Sequence, residues 1–396
     1  MITPPAIAWT LLALVALLWF VLWHRKFWSH HRATPRLGRA RVGPGAPFVT
    51  VCVPARDEER YVGAAVRSLI AQDYPRFRVV VANDRSTDGT AAILDGIARD
   101  ADPARLTVLH VPEPPEGWMG KCHALHRAVA AAPPETEFYL FTDADVIHRP
   151  DTLSRSVAQM MEERADLFAI SPRVQCVGAW ENALLPLFMH LGVIQIDPRH
   201  LNDPERKEIV GIGAFTLIRR SMYESWGGHR RIRGETIDDM AMGLLTKRAG
   251  GRLLLVRGGA AVRLRMYTSL QGIIAGFEKN MHTAVGGGWD RAIGGAIFFP
   301  LAHASPAIVA IAAALCGAWP LALAALALHA ACAAVLVART RHYLAIRPAL
   351  VAIMYPAGAL LAAYILLLST YHARQRGVVR WRGREIKRPR QMTKLS

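Results

Sequence analysis

The sequence predicts an α/β domain carried between membrane-spanning helices, and three observations lead there. Between about residues 47 and 290, short β-branched runs alternate with stretches of helical spacing, the pattern of a sheet covered by helices. Three of those runs end in polar or acidic clusters. Outside that interval lie long tracts that contain no charged residue.

The first tract, Ala6 to Trp23, is long enough to span a bilayer. It has neither a basic leader nor a small-residue cleavage site, so it reads as a retained anchor over residues 1–24. Arg25, Lys26, Arg32, Arg36, Arg39 and Arg41 follow with no acid among them, which places the next segment on the cytoplasmic side. A buried strand is expected over Phe48 to Val53, stopped by Pro54-Ala-Arg-Asp-Glu-Glu59. Tyr61 to Gln72 then takes helical spacing through Val62, Ala65, Val66, Leu69 and Ile70. Further strands are expected over Arg78–Ala82, Leu106–Val111 and Phe138–Thr142, the first of these ending in Asn83-Asp-Arg-Ser-Thr-Asp-Gly-Thr90 and the last in Asp143-Ala-Asp145.

Residues 47–290 thus form the expected cytoplasmic α/β domain, residues 291–372 the C-terminal transmembrane or interfacial helices, and residues 373–396 a basic cytoplasmic tail. Ala292 to Ala338 holds no Asp, Glu, Lys or Arg, room for two spans with a turn near Trp319-Pro320, and Ala349 to Tyr371 makes another. Pro300, His303 and Pro306 weaken the first of these, which is expected to lie in the interface or re-enter. Three true spans then keep the tail, basic from Arg374 to Lys394 against Glu385 alone, in the cytoplasm. A multi-pass protein of the inner membrane is the expected outcome.

The formal net charge of +17 is concentrated beside membrane segments and in the tail, where anionic headgroups account for it. With no zinc-ligand spacing or RNA-binding signature, nucleic acid is not an expected partner. Cys52, Cys122, Cys176, Cys316 and Cys332 form no close pair and fit a reduced compartment.

Ligands of open α/β sheets collect outside the carboxyl ends of the strands, so the three clusters would rim one crevice. Asp143 and Asp145, one residue apart at a strand end, make a hard-oxygen site for Mg²⁺ or Mn²⁺, ions that keep waters and bridge to phosphate. Alone, Asp-x-Asp reads equally as a solvated turn. Asp84 and Asp88 stand in a good capping sequence. Asp88 is assigned to structure and Asp84 to ligand contact. A separate acidic pair, Asp238-Asp239, opens the helical stretch Met240 to Lys247, where acids also suit a helix N-terminus.

The succession Val53-Pro-Ala-Arg-Asp-Glu-Glu59, Asn83-Asp-Arg-Ser-Thr-Asp-Gly-Thr90 and Asp143-Ala-Asp145 resembles the family 2 glycosyltransferases of GT-A fold, especially membrane-anchored members acting on lipids. Gly117-Trp-Met-Gly-Lys121, Gly227-Gly228 and Arg265-Met-Tyr-Thr-Ser-Leu-Gln271 with Lys279-Asn280 are similar to the branch of chlorobactene and other carotenoid glucosyltransferases, to which hopanoid-associated glycosyltransferases are close. The resemblance covers about residues 47–290 and the arrangement of membrane segments.

That resemblance implies a UDP-sugar donor, a membrane lipid acceptor and a divalent metal. It places Pro54, Ala55, Asp57 and Glu59 along the nucleotide pocket, Asp84 at the uracil and Asp143 near the ribose or sugar. Asp145 is implied as the stronger metal ligand. Lys121 either approaches the diphosphate or is a solvated lysine at a helix start. Inverting transfer needs an acceptor-side base. The family's acidic pair implies Asp239 in that role with Asp238 the alternate, although many relatives carry Glu at the first position. Val210-Gly-Ile-Gly-Ala214 lacks the third glycine of a dinucleotide fingerprint. Gly211 and Gly213 are expected to bring backbone near the acceptor, and Lys279 to add positive charge. Trp180 to Leu191 is ordinary core or an interfacial helix that guides a lipid hydroxyl to Asp239.

The Gln-x-x-Arg-Trp motif of processive synthases is missing, and Gly276-Phe-Glu-Lys-Asn280 stands in its place. The expected reaction is a single inverting transfer, with glucose the expected sugar, to a carotenoid- or hopanoid-like hydroxyl. The alternatives are a processive polysaccharide synthase, a transferase directed at ceramide, glycerolipid or polyprenyl phosphate, and a non-catalytic membrane scaffold.

Overall fold

The computed structural model describes residues 4–375, 378–381 and 384–387; most of the basic tail lies outside the described residues. The chain forms two compact units, one from Ala33–Val174 and Asp197–Arg265, the other from Met1–Arg32, Gln175–Ile196 and the chain from Met266 onward.

The first unit is built on a seven-stranded sheet. Strands β1 (Phe48–Ala55), β2 (Phe77–Asn83), β3 (Leu106–His110) and β4 (Thr136–Phe141) run parallel in the order β3-β2-β1-β4. Thr216–Arg219 continues the sheet antiparallel to β4, followed by Leu167–Ser171 and then Leu253–Arg257. These last three strands were not anticipated from the sequence. Val49, Val51 and Val53 share a core with Val79 and Val81, while Cys52 and Val80 on the other face are also fully buried. Burial on both faces explains why these strands read as unbroken apolar runs. The helix Val62–Ile70 buries the predicted stripe of Val62, Ala65, Val66 and Leu69.

Register brings the strand ends together. Ala55 pairs with Asn83 and Cys52 with Phe141, so β1, β2 and β4 finish along one edge. The three polar clusters therefore line a common rim.

In the second unit, four described helices are long and apolar enough to cross a membrane: Pro4–Ala33, Trp289–Leu315, Trp319–Thr340 and Pro348–Arg374. The prolines expected to weaken the second of them do not interrupt it. The chain passes through a π-helical turn at Pro300–Ala304, and Pro306 lies in the first turn of Ser305–Leu315, where a missing N–H breaks no bond. Ala179–Gln195 and Leu270–Ala284, assigned by sequence to the soluble interval, fold with these helices. Leu184, Ile273 and Met281 pack there with Ala362, Ile365 and Leu366.

Candidate active site

Hydrogen bonds running in both directions tie the loop after β1 to the loop after β2. Asp57 accepts the Thr87 N–H (2.7 Å) and donates its own N–H to Ser86 Oγ (3.0 Å). Glu59 accepts the Gly89 N–H (2.8 Å), and Asp88 accepts the Glu59 N–H (3.1 Å). Asp88 thus has the structural role expected of it. Asp57 and Glu59 brace the rim, and Asp57 holds a left-handed backbone (φ 51°) to do so.

Asp84 reaches the same rim almost fully buried, with Arg85 Nε at 2.9 Å from one oxygen and Arg56 Nη1 at 3.2 Å from the other. Neither arginine was singled out by sequence reasoning, because the contacts depend on how two loops fold over one another. The Asp84 carboxylate also lies against Gly120, where a side chain would meet it at 2.3 Å, so the β2 end adjoins the start of the helix Gly120–Ala130.

The centre of the crevice forms where that helix meets β4. Lys121 Nζ lies 2.9 Å from Asp143 Oδ1 and 3.1 Å from Asp238 Oδ1. Asp143 stands just beyond β4, where Thr142 Oγ1 donates to the Ala214 carbonyl (2.8 Å) and ties the strand end to the glycine turn. Asp239 accepts the Gly213 N–H (2.7 Å) on one oxygen and the Met240 N–H (2.8 Å) on the other. Gly213 is the hub: a methyl group on it would lie 2.7 Å from Asp143, 3.4 Å from Lys121 and 3.5 Å from Asp239. Pro54, Lys121, Asp143, Gly213, Asp238 and Asp239 line one crevice.

Electrostatics sharpen these roles. Burial raises the Asp239 carboxyl above its usual pKa and the neighbouring Asp238 adds to the rise, while Lys121 and the Met240 N–H pull it down. Burial works against the Lys121 charge, but Asp143, Asp238 and Asp239 outweigh it and hold the ammonium well above its ordinary value. Lys121 is therefore held as a positive charge among the three carboxylates.

Asp145 lies two residues beyond Asp143 and is half-buried. Among the described residues no group of three metal-ligating side chains occurs. Two carboxylates at a strand end fit a hard cation that takes its remaining ligands from water and phosphate. Lys279 falls on the helix Leu270–Ala284 of the other unit, and its side chain lies outside the described residues.

Gly211 and Gly213 are not open backbone. The Val210–Ala214 turn is packed onto the helix Asp238–Arg248, and Gly243, in the middle of that helix, meets the Val210 backbone. Gly243 was missed, although an isolated glycine inside a helical pattern is a signal of close approach.

A mixed sheet with a carboxylate-lined crevice at its strand ends is the frame of a nucleotide-sugar transferase, and the chain belongs to the glycosyltransferase like family 2, whose model matches residues 44–275. It is a glycosyltransferase of GT-A fold with membrane-type helices at both ends. It is 28% identical over 243 residues to the 4,4'-diaponeurosporenoate glycosyltransferase of Staphylococcus aureus (strain MRSA252), a match covering 60% of this chain and 62% of the relative. The chain thus spans about three-fifths of the length of that curated relative. Among solved structures, the mannosyltransferase PcManGT from Pyrobaculum calidifontis, in complex with GDP-Man and Mn²⁺, has the same fold. Its TM-score is 0.55 at 20% identity, covering 93% of this chain and 99% of that one.

Proposed function

We propose that this glycosyltransferase moves a single sugar, glucose, from a UDP-sugar to a hydroxyl of a carotenoid- or hopanoid-like membrane lipid, with inversion at the anomeric carbon. One observation carries the reading: Asp143 at the end of β4 and Asp239 at the start of its helix face each other across Gly213. Inversion needs a base on the acceptor side and a separate site for the leaving group. The two acids are fixed to different elements, as that division requires.

In this mechanism the Asp239 carboxylate, oriented by the Gly213 and Met240 N–H groups, takes the acceptor proton as the new bond forms. Its raised pKa makes it a stronger base than a solvent-exposed aspartate. Asp143 and Asp145 would hold Mg²⁺ or Mn²⁺, which when bound neutralises charge on the departing diphosphate. Lys121 adds a permanent positive charge beside Asp143. Pro54, Ala55, Asp57, Glu59 and Asp84 hold the nucleotide, with Arg56 and Arg85 orienting the Asp84 carboxylate toward the uracil.

Support for a lipid acceptor comes from the four membrane-type helices and from the relative named for a carotenoid acid. The basic run from Arg25 to Arg41 supports a catalytic unit facing the cytoplasm. The missing Gln-x-x-Arg-Trp motif supports one transfer instead of chain growth. Expression in a host supplied with candidate lipids, followed by mass spectrometry of the membrane fraction, should reveal a hexose-shifted lipid. A polymer in its place would move the assignment to a processive synthase. Failure of the purified protein even to hydrolyse a UDP-sugar would support a scaffold.

The pH profile offers a finer test. Asp239 works as a base only when ionised, so kcat/KM should fall as pH drops through its raised pKa. Lys121 stabilises that ionised form. In Lys121→Met the Asp239 pKa rises further, and the acidic limb of the profile should move to higher pH, separately from any change in donor KM. An unmoved limb would disconnect Lys121 from the base.

A further inference from the structure

The helical unit contains a polar cluster that the transfer site does not use. Arg339, the last but one residue of the helix Trp319–Thr340, is fully buried. Its Nη2 donates to the Trp19 carbonyl (2.9 Å), and its guanidinium lies 5.7 Å from the Trp19 ring and 5.6 Å from the Phe27 ring. Its Nε and Nη1 have no hydrogen-bond partner among the described residues. His190 and His303, also fully buried, join the same cluster. His190 stacks on Trp19 at 5.5 Å, and His303 stacks on Trp23 at 5.3 Å. Among the described residues none of their four ring nitrogens has a hydrogen-bond partner.

With no counter-charge among the described residues, a buried guanidinium is costly in any interior. The aromatic faces offset part of that cost. Ala292 to Ala338 contributes no acid to balance the rest.

Backbone irregularities coincide with the cluster. Trp19 stands on the π-helical turn Leu18–Leu22 and His303 on the π-helical turn Pro300–Ala304. The helix carrying His190 contains Pro186. Such turns release carbonyls from the helical ladder and recur at functional sites. Here the Ala302 carbonyl accepts the Trp19 indole N–H (2.8 Å), and the Trp19 carbonyl accepts Arg339. Two π-helical turns and a proline-bearing helix thus meet where the remaining Arg339 and imidazole nitrogens are left unpaired among the described residues.

We propose that Arg339, His190 and His303 form a binding site for an oxyanion, the carboxylate or phosphate of a lipid headgroup. Arg339 supplies the counter-charge through a charge-assisted pair, and each imidazole supplies one N–H. The position of Arg339 at the end of a 22-residue span corresponds to headgroup depth rather than to the acyl chains.

The test needs no sugar transfer, so its failure is distinct from failure of the proposed reaction. Full-length protein in phosphatidylcholine nanodiscs is titrated with labelled palmitate and, separately, with methyl palmitate, which has the same chain and no charge. Saturable palmitate binding at one site, at least tenfold tighter than the ester, is expected. Arg339→Gln should weaken palmitate at least tenfold and leave the ester unchanged, and His303→Phe, which keeps the aromatic packing, should weaken it in the same sense. Displacement of palmitate by millimolar inorganic phosphate would support the site and assign it to freely diffusing anions. Resistance to phosphate would assign it to lipid. Equal binding of acid and ester by the wild type, no saturable binding of either palmitate or phosphate, or unchanged palmitate affinity in a folded Arg339→Gln protein would overturn the proposal.

Discussion

Asp239→Asn is expected to lower sugar transfer by roughly 100- to 10,000-fold, the range that general bases contribute, while binding of the UDP-sugar survives. The asparagine keeps the shape of the carboxylate but cannot take a proton. One of its two ends must also turn an NH₂ toward a backbone N–H, because Asp239 accepts from both Gly213 and Met240. A modest loss of stability, about 1–3 kcal/mol for an unsatisfied buried donor, should accompany the loss of rate. Measuring turnover and donor affinity on the same folded sample separates the two effects. Asp238→Asn is the internal control. Its carboxylate is engaged by Lys121, so the variant should keep far more activity than Asp239→Asn. The opposite order would exchange the two roles. Turnover of Asp239→Asn within about threefold of wild type would remove the base assignment altogether. It would also bear on the acceptor, because a lipid carboxylate arrives already ionised and needs no base, whereas a hydroxyl does.

How much of this site was legible in the sequence depended on whether a residue acts locally or across the fold. Asp143 and Asp145 announced themselves through the apolar strand that ends in them, and Asp57 and Asp84 through the same logic on β1 and β2. Parallel register does the rest, since Ala55 opposite Asn83 and Cys52 opposite Phe141 carry all three ends to one edge. The strands Leu167–Ser171, Thr216–Arg219 and Leu253–Arg257 were not anticipated. Each is short, and neighbours far along the chain determine their order and direction. The arginines on Asp84 were illegible for a related reason. The sequence marks Asp84 only as a ligand-contacting acid, and the folded loops show Arg56 and Arg85 on its two oxygens. The helical unit misled in a third way. Pro300 and Pro306 are helix breakers by propensity, yet a π-helical turn and a first-turn position accommodate them, so the apolar helix runs on through both.

Gly243→Ala should show how tightly the base is positioned, and two opposing magnitudes decide its outcome. Alanine in a helix interior is favoured over glycine by about 0.8–1 kcal/mol, so propensity alone predicts a slightly more stable protein. Packing predicts the reverse. A Cβ on Gly243 would lie 2.0 Å from the Val210 carbonyl oxygen and 2.8 Å from its carbon. Both are backbone atoms that cannot rotate aside, so the Val210–Ala214 turn and the helix Asp238–Arg248 must separate. Overpacking of this kind costs typically about 1–3 kcal/mol, enough to cancel or exceed the gain. The separation also pulls the Gly213 N–H away from Asp239, a contact of 2.7 Å that aims the base. The facing contact, Gly211 against the Asp239 carbonyl (1.8 Å for a Cβ on Gly211), leaves the turn no slack on that side. A displacement near 1 Å at a catalytic group can cost about 100-fold in rate, so kcat should fall by at least about tenfold, with donor KM changed less because Asp57 and Asp84 stand on other elements. Thermal melting and steady-state kinetics on the same preparation check both halves. A variant that melts higher and turns over normally would show that the helix and turn relax freely, and that the glycine contacts do not position the base.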